Sequence, residues 1–89
     1  MRNIQRKTQL QRIAYLVTIL QTDKLSKQNI LNKLEVRFNH VFSESQIEKD
    51  MFCLKMDFDA SIKYDKASNV YSIDSEYDFK QAVLNFLEI

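Results

Sequence analysis

Eighty-nine residues suffice for one hydrophobic core and no second one, because a chain this short buries only about 60–65% of the surface its unfolded form exposes. Hydrophobic residues at 45% and charged residues at 28% lie in the globular range, which excludes wholesale disorder, and no run approaches the ~18 apolar residues that a membrane-spanning helix needs. The formal charge is only +1, yet residues 1–37 hold eight basic side chains against two acidic ones, a balance of +6, while the remainder holds five against ten, a balance of −5.

Glycine and proline are both absent, so element boundaries come from capping residues and changes of period rather than from the usual punctuation. A first helix is expected over about residues 3–21, with Leu10, Ile13, Ala14, Val17 and Leu20 on its apolar face and Arg2, Arg6, Gln9 and Arg12 along another. Ser26 is placed to cap a second helix running to about residue 38, whose buried stripe is Ile30, Leu31, Leu34 and Phe38 and whose left-handed stop is Asn39. A third helix over about residues 43–57 opens on Ser43 and Gln46 as a capping box, with Ser45 and Glu48 as a second one in another register. Its Ile47, Met51, Leu54 and Phe58 recur at helical spacing and face the core. A second line, Ser45, Lys49, Phe52 and Met56, is polar first and apolar later. That order implies a helix that protrudes at its start and is covered by the hairpin and first helix toward its end.

The period then changes from helical to alternating. Residues 61–64 and 70–73 read as two strands of a hairpin. Asn69 is the turn residue best able to take a positive φ, and Tyr64 and Tyr71 are expected to pack across the strands. A last helix over about residues 76–88 is announced by Ser75 to Asp78 as a capping box and carries Phe79, Ala82, Val83 and Phe86 inward. Leu84, Leu87 and Ile89 form an apolar edge if the core does not absorb them. The fold class is mostly α (α+β), a single domain over residues 1–89 with the order helix, helix, helix, hairpin, helix. A two-stranded hairpin is marginal alone, so it must lean on the helices.

This arrangement matches a winged helix-turn-helix domain. Phe42-Ser43-Glu44-Ser45-Gln46-Ile47-Glu48-Lys49-Asp50-Met51, followed by Leu54, resembles the V-S-E-R-T-I-Q-R-D-L-x-x-L signature of DeoR-like helix-turn-helix domains. Ile62-Lys63-Tyr64-Asp65-Lys66 and Tyr71 resemble the I-x-Y-D-R…G-Y wing of bacterial regulators that carry a C-terminal WYL domain. The likeness covers about residues 8–74. It implies transcription regulation by binding double-stranded DNA, with the third helix in the major groove and the wing along the backbone. Ser45, Gln46 and Lys49 would then face the groove, and Ser26, Lys27, Ser43, Lys63 and Lys66 would meet phosphates. Asp50 matches an acidic position better suited to an intramolecular pair than to DNA.

Departures from the pattern carry information of their own. Ser45, Gln46 and Lys49 stand where the family has Arg, Thr and Arg, and Val70 stands at the wing glycine. Lysine lacks the planar fork with which arginine reads guanine. Gln46 reads adenine only when it is not folded back onto Ser43. Lys27, Lys49, Lys63 and Lys66 with Arg2 and Arg6 would neutralise about four to six phosphates, a salt slope of roughly −4 to −5, against which Glu44 and Glu48 subtract. The alternative function is a winged helix serving protein–protein contact or dimerisation without base readout. A homodimer would form through the C-terminal helix or through a WYL domain, which these residues do not include.

Catalysis finds little support. Cys53 sits among Phe52, Leu54 and Met56 and is expected as a buried thiol; His40, the only histidine, lies in a link between helices. Asp57-Phe58-Asp59 lacks the glycine of a calcium loop, and a chain without glycine has no phosphate-cradling loop. No enzyme activity, metal or cofactor is expected. The first residues show basic side chains without a secretory apolar region, so a cytoplasmic setting is the expectation.

Overall fold

The computed structural model describes residues 2–88, with side chains from Thr8 to Glu88. The side chains of Arg2 and Arg6, and Ile89, lie outside the described residues. The chain forms α1 (Arg2–Thr22), α2 (Lys27–Phe38), α3 (Glu44–Asp57), β1 (Ile62–Asp65), β2 (Val70–Ile73) and α4 (Phe79–Leu87) in that order.

Local chemistry explains most of these boundaries. Ser26 and Ser43 hold extended backbone, and each hydroxyl accepts the N–H three residues on, from Asn29 and from Gln46, both at 3.2 Å. One otherwise orphan donor is thereby satisfied at each helix start. With no glycine to use, the left-handed positions fall on Asn39 (φ 52°), Asp59 (φ 54°) and Asn69 (φ 58°). Short polar side chains tolerate that region better than any other non-glycine type. Asn39 and Asn69 are the two that sequence indicates. Asp59 ends α3, where the Ala60 N–H turns back to the Leu54 carbonyl at 3.0 Å.

The core gathers Ile13, Leu16, Val17, Ile19 and Leu20 of α1, Ile30 and Leu34 of α2, and Ile47, Met51 and Leu54 of α3, with Leu25, Phe42, Phe58, Ala60 and Ile73 closing it. The α3 stripe is the expected one. In α1 the buried sector is turned by roughly 80° from the apolar face that hydrophobicity alone selects, at 100° per residue. Leu10 is consequently 44% exposed, whereas Arg12, expected on the polar face, is 6% exposed. What draws Arg12 inward is Asp50, itself 1% exposed on α3. The guanidinium donates Nε to Asp50 Oδ2 at 2.5 Å and Nη2 to Oδ1 at 3.0 Å, and its Cζ lies 5.2 Å from the centre of the Phe42 ring. Both charges are paired and hydrogen-bonded, which is the condition for burying them.

β1 and β2 pair antiparallel with Ile62 opposite Ile73 and Tyr64 opposite Tyr71. The two tyrosine rings sit 4.7 Å apart, the cross-strand packing that their positions suggest. A third backbone segment joins them: Leu25, between α1 and α2, exchanges hydrogen bonds with Tyr71 at 3.0 and 2.7 Å. This fastens the hairpin to the helical body at β2. Three helices, a hairpin pinned to the link between the first two, and a closing helix make a winged-helix arrangement.

Pinning the hairpin there has a consequence for α3. Phe52 and Met56 were expected under the hairpin and first helix; instead they are 64% and 62% exposed. β2 packs against α1 and pairs with Leu25, away from the outward line of α3. The last helix starts at Phe79 with Asp78 as its cap, accepting from the Gln81 N–H at 3.1 Å, rather than at the capping box of Ser75. Asp74 already takes the Glu76 N–H at 3.0 Å in a preceding turn. That turn tucks Tyr77 inward so that its hydroxyl donates to the Phe58 carbonyl. The Gln21 amide ties the same turn to α1 through the carbonyls of Asp74 and Tyr77, at 2.9 and 2.7 Å. No helix among the described residues is long and apolar enough to cross a membrane.

Candidate nucleic-acid interface

The core stripe of α3 fixes what the opposite face presents. Ile47, Asp50, Met51 and Leu54 are buried, so Ser45, Glu48, Lys49, Phe52 and Met56 point outward along one line. Ser45, Gln46 and Lys49 are all exposed, and Lys49 has no ion-pair partner among the described residues. The competition between capping and reading at Gln46 resolves in one direction. Its backbone N–H is held by Ser43, while its side chain has no hydrogen-bond partner among the described residues and stays free.

Three elements meet beside this face. Lys27, the first residue of α2, forms an ion pair with Glu48 of α3. Two residues earlier, Leu25 carries the bridge to Tyr71 of the wing. The start of α2, the outward side of α3 and the base of the wing thus share one region of the surface. The hydrogen bond it donates to Glu48 holds the Lys27 ammonium above the ordinary lysine range, with Tyr71 and Glu44 adding attraction. Lys27 is therefore a firm cation, but one whose charge Glu48 largely cancels. Ser26 is only half-buried beside it, with its hydroxyl engaged as a cap.

Lys63 on β1 and Lys66 in the turn are exposed. The turn is built around Asp65, which accepts from the Ala67 N–H at 3.0 Å and the Ser68 hydroxyl at 2.8 Å, while its carbonyl takes the Asn69 N–H at 2.7 Å. The Ser68 hydroxyl first, then the Ala67 N–H, lower the Asp65 carboxyl below its usual range, helped by the charge of Lys24. Lys24 thus lies near the wing turn, a cation that chain order alone does not assign there. Asn69 accepts from the Tyr64 hydroxyl at 2.6 Å, so the turn residue also steadies the tyrosine pair.

Other titratable groups point elsewhere. Cys53 is half-buried rather than buried, and its thiol donates toward Asp57 at 3.4 Å. Burial first, and then the Asp57 carboxylate, push that thiol up to about 11. His40 is exposed and rests its ring 4.7 Å from Phe42. Asp57, Asp59 and Asp78 rim a groove of about 350 Å³ between the end of α3 and α4, an acidic side that repels phosphate. Burial, followed by the charges of Asp59 and Asp78, raises the Tyr77 hydroxyl there. Among the described residues no group of three or more His, Cys, Asp or Glu side chains is arranged to hold a metal ion.

A scan against protein-family models, a search of curated proteins and a search of solved structures each find no match to this chain. The winged-helix arrangement rests on its own element order, caps and strand pairing. Sequence reasoning anticipated the exposure of Ser45, Gln46 and Lys49 on α3 and of Lys63 and Lys66 on the wing. It counted Glu48 against the positive field but missed that Lys27 is its partner, and it missed the openness of Phe52 and Met56. The second was legible in principle, since both residues lie opposite Leu54 on a helical wheel.

Proposed function

We propose that this chain is a duplex-DNA-binding domain of DeoR-like winged-helix type, of the kind found at the N-terminus of WYL-domain transcription regulators, acting by binding and not by catalysis. The observation that carries the reading is the convergence around Lys27 and Leu25. It sets the start of α2, the open first half of α3 and the wing base on one side of the domain. An α-helix whose leading turns stand clear of its own protein fits the major groove, and hydroxyl-capped helix starts favour phosphate. Lys49 then supplies a groove-side cation and Gln46 a side chain free to bond adenine; Lys63 and Lys66 meet the backbone from the wing. Ser45, next along the line, is small enough to admit close approach.

Fluorescence anisotropy with short unrelated duplexes between 50 and 200 mM salt tests the reading. Lys49→Ala should weaken every duplex alike and lower the salt slope by about one, whereas Gln46→Ala should change the ranking of sequences. No binding at 50 mM salt with ~100 µM protein would overturn it. A second reading, contact with a protein through α3, draws on a specific feature: Phe52 and Met56 are 64% and 62% exposed directly beyond Lys49. In a groove the Phe52 ring would lie against thymine methyls, so Phe52→Ala should weaken T-rich duplexes most. Unchanged affinity for all duplexes would assign that half of the face to a protein.

A further inference from the structure

The face of α4 turned away from the core has a symmetry that its composition does not announce. Phe79, Ala82 and Val83 are the partly buried residues of this helix, and Phe86 rests its ring 5.1 Å from that of Phe58. Lys80, Leu84, Leu87 and Glu88 share the outward arc, which spans roughly 100° at 100° per residue. Leu84 is 53% and Leu87 70% exposed, and Lys80 and Glu88 are exposed with no ion-pair partner among the described residues. Glu88 keeps right-handed backbone (φ −78°, ψ −10°) and donates its N–H to the Leu84 carbonyl at 3.1 Å, so the face continues unbroken through residue 88.

The two charges lie four residues to either side of Leu84 and are opposite in sign. We propose that this face pairs with the same face of a second copy of the chain, α4 against α4, antiparallel about a two-fold axis at Leu84. An isologous contact must be self-complementary, and this one is. Leu84 meets the other copy's Leu84. Each Leu87 covers the stem of the other copy's Lys80, and Lys80 pairs with the other copy's Glu88 twice over. Parallel pairing would instead set lysine beside lysine and glutamate beside glutamate, so charge selects the antiparallel register. A net charge of +1 gives the copies little mutual repulsion. One short helix per copy buries less than the ~1,200 Å² of a firm interface, so the dimer should be weak and concentration-dependent rather than permanent. The inference does not depend on DNA binding and survives its failure.

Sedimentation equilibrium of the 89-residue chain from about 10 µM to 1 mM decides the matter. The mass should rise from 10.6 kDa toward twice that value. Lys80→Glu and Glu88→Lys should each associate at least about tenfold more weakly, through two like-charge contacts apiece. The double variant, and an equimolar mixture of the two single variants, should associate as the natural chain does. The two positions lie too far apart within one helix to rescue each other directly, so recovery reports pairing between copies. Circular dichroism checks that every variant is folded. A natural chain that stays monomeric at 1 mM, or association that ignores the reversals, or reversals without rescue, would overturn the proposal.

Discussion

Arg12 and Asp50 hold α1 to α3 with a charge pair taken almost wholly out of water. Neither charge is tolerable there alone. Asp50→Ala should therefore lower stability by about 3–5 kcal/mol, a large share of the roughly 5–15 kcal/mol that holds a small domain. Arg12→Met combined with Asp50→Leu should recover most of that loss, because the pair itself offsets a heavy desolvation cost rather than adding net stability. Urea midpoints of the three proteins check both outcomes. Cys53 is the second residue whose setting governs its chemistry. A thiol pushed from its ordinary 9.0 up to about 11 carries ~100-fold less thiolate at pH 8, while the higher basicity restores about tenfold in nucleophilicity. Alkylation of the folded protein should accordingly run about tenfold slower than that of the urea-unfolded chain.

The wing turn is an element built without glycine. Asn69 occupies φ 58° and also accepts from Tyr64, so Asn69→Val should cost about 1–2 kcal/mol in a hairpin that has few other anchors. Asp65 adds a pH dependence whose sign follows from its lowered pKa. Its ionised form is favoured by folding, so the contribution is complete above the ordinary aspartate range and is lost as pH falls through the lowered folded value. Amide spectra of residues 65–69 should therefore change in acid while the signals of Leu54 and Ile13 hold. At the other side of the sheet, the Leu25 bridge lets two short strands persist where an isolated hairpin would not.

At the scale of the molecule, the available cations are fewer than the basic count of residues 1–37 suggests. Glu48 occupies Lys27, which leaves Lys49, Lys63 and Lys66 of the four expected lysines and a salt slope of roughly −3 from these alone. Glu48→Gln should release Lys27 and remove a carboxylate from the same face. Duplex affinity at 50 mM salt should rise several-fold and the slope steepen by about one, readable in the same anisotropy titrations. Weak binding by one domain is the expected state. Two domains joined through α4 would add their phosphate contacts, so Lys80→Glu should flatten the salt slope at high protein concentration without touching α3.

Local rules made much of this protein legible. The caps at Ser26 and Ser43, the left-handed Asn39 and Asn69, the α3 stripe and the facing tyrosines all depend on neighbours within a few residues or on one tight turn, and such patterns survive in a linear reading. The rotation of α1, the burial of Arg12 and the exposure of Leu10 do not, because the partner that reverses them lies 38 residues away. Lys27 and Glu48 meet across 21 residues, and Leu25 finds Tyr71 only once the helices have packed. Amino-acid order therefore determined the elements and the exposed first half of the α3 line. Three-dimensional packing decided which charges remain free and where the wing would sit, leaving Phe52 and Met56 uncovered, since charge pairing and burial depend on distance through space.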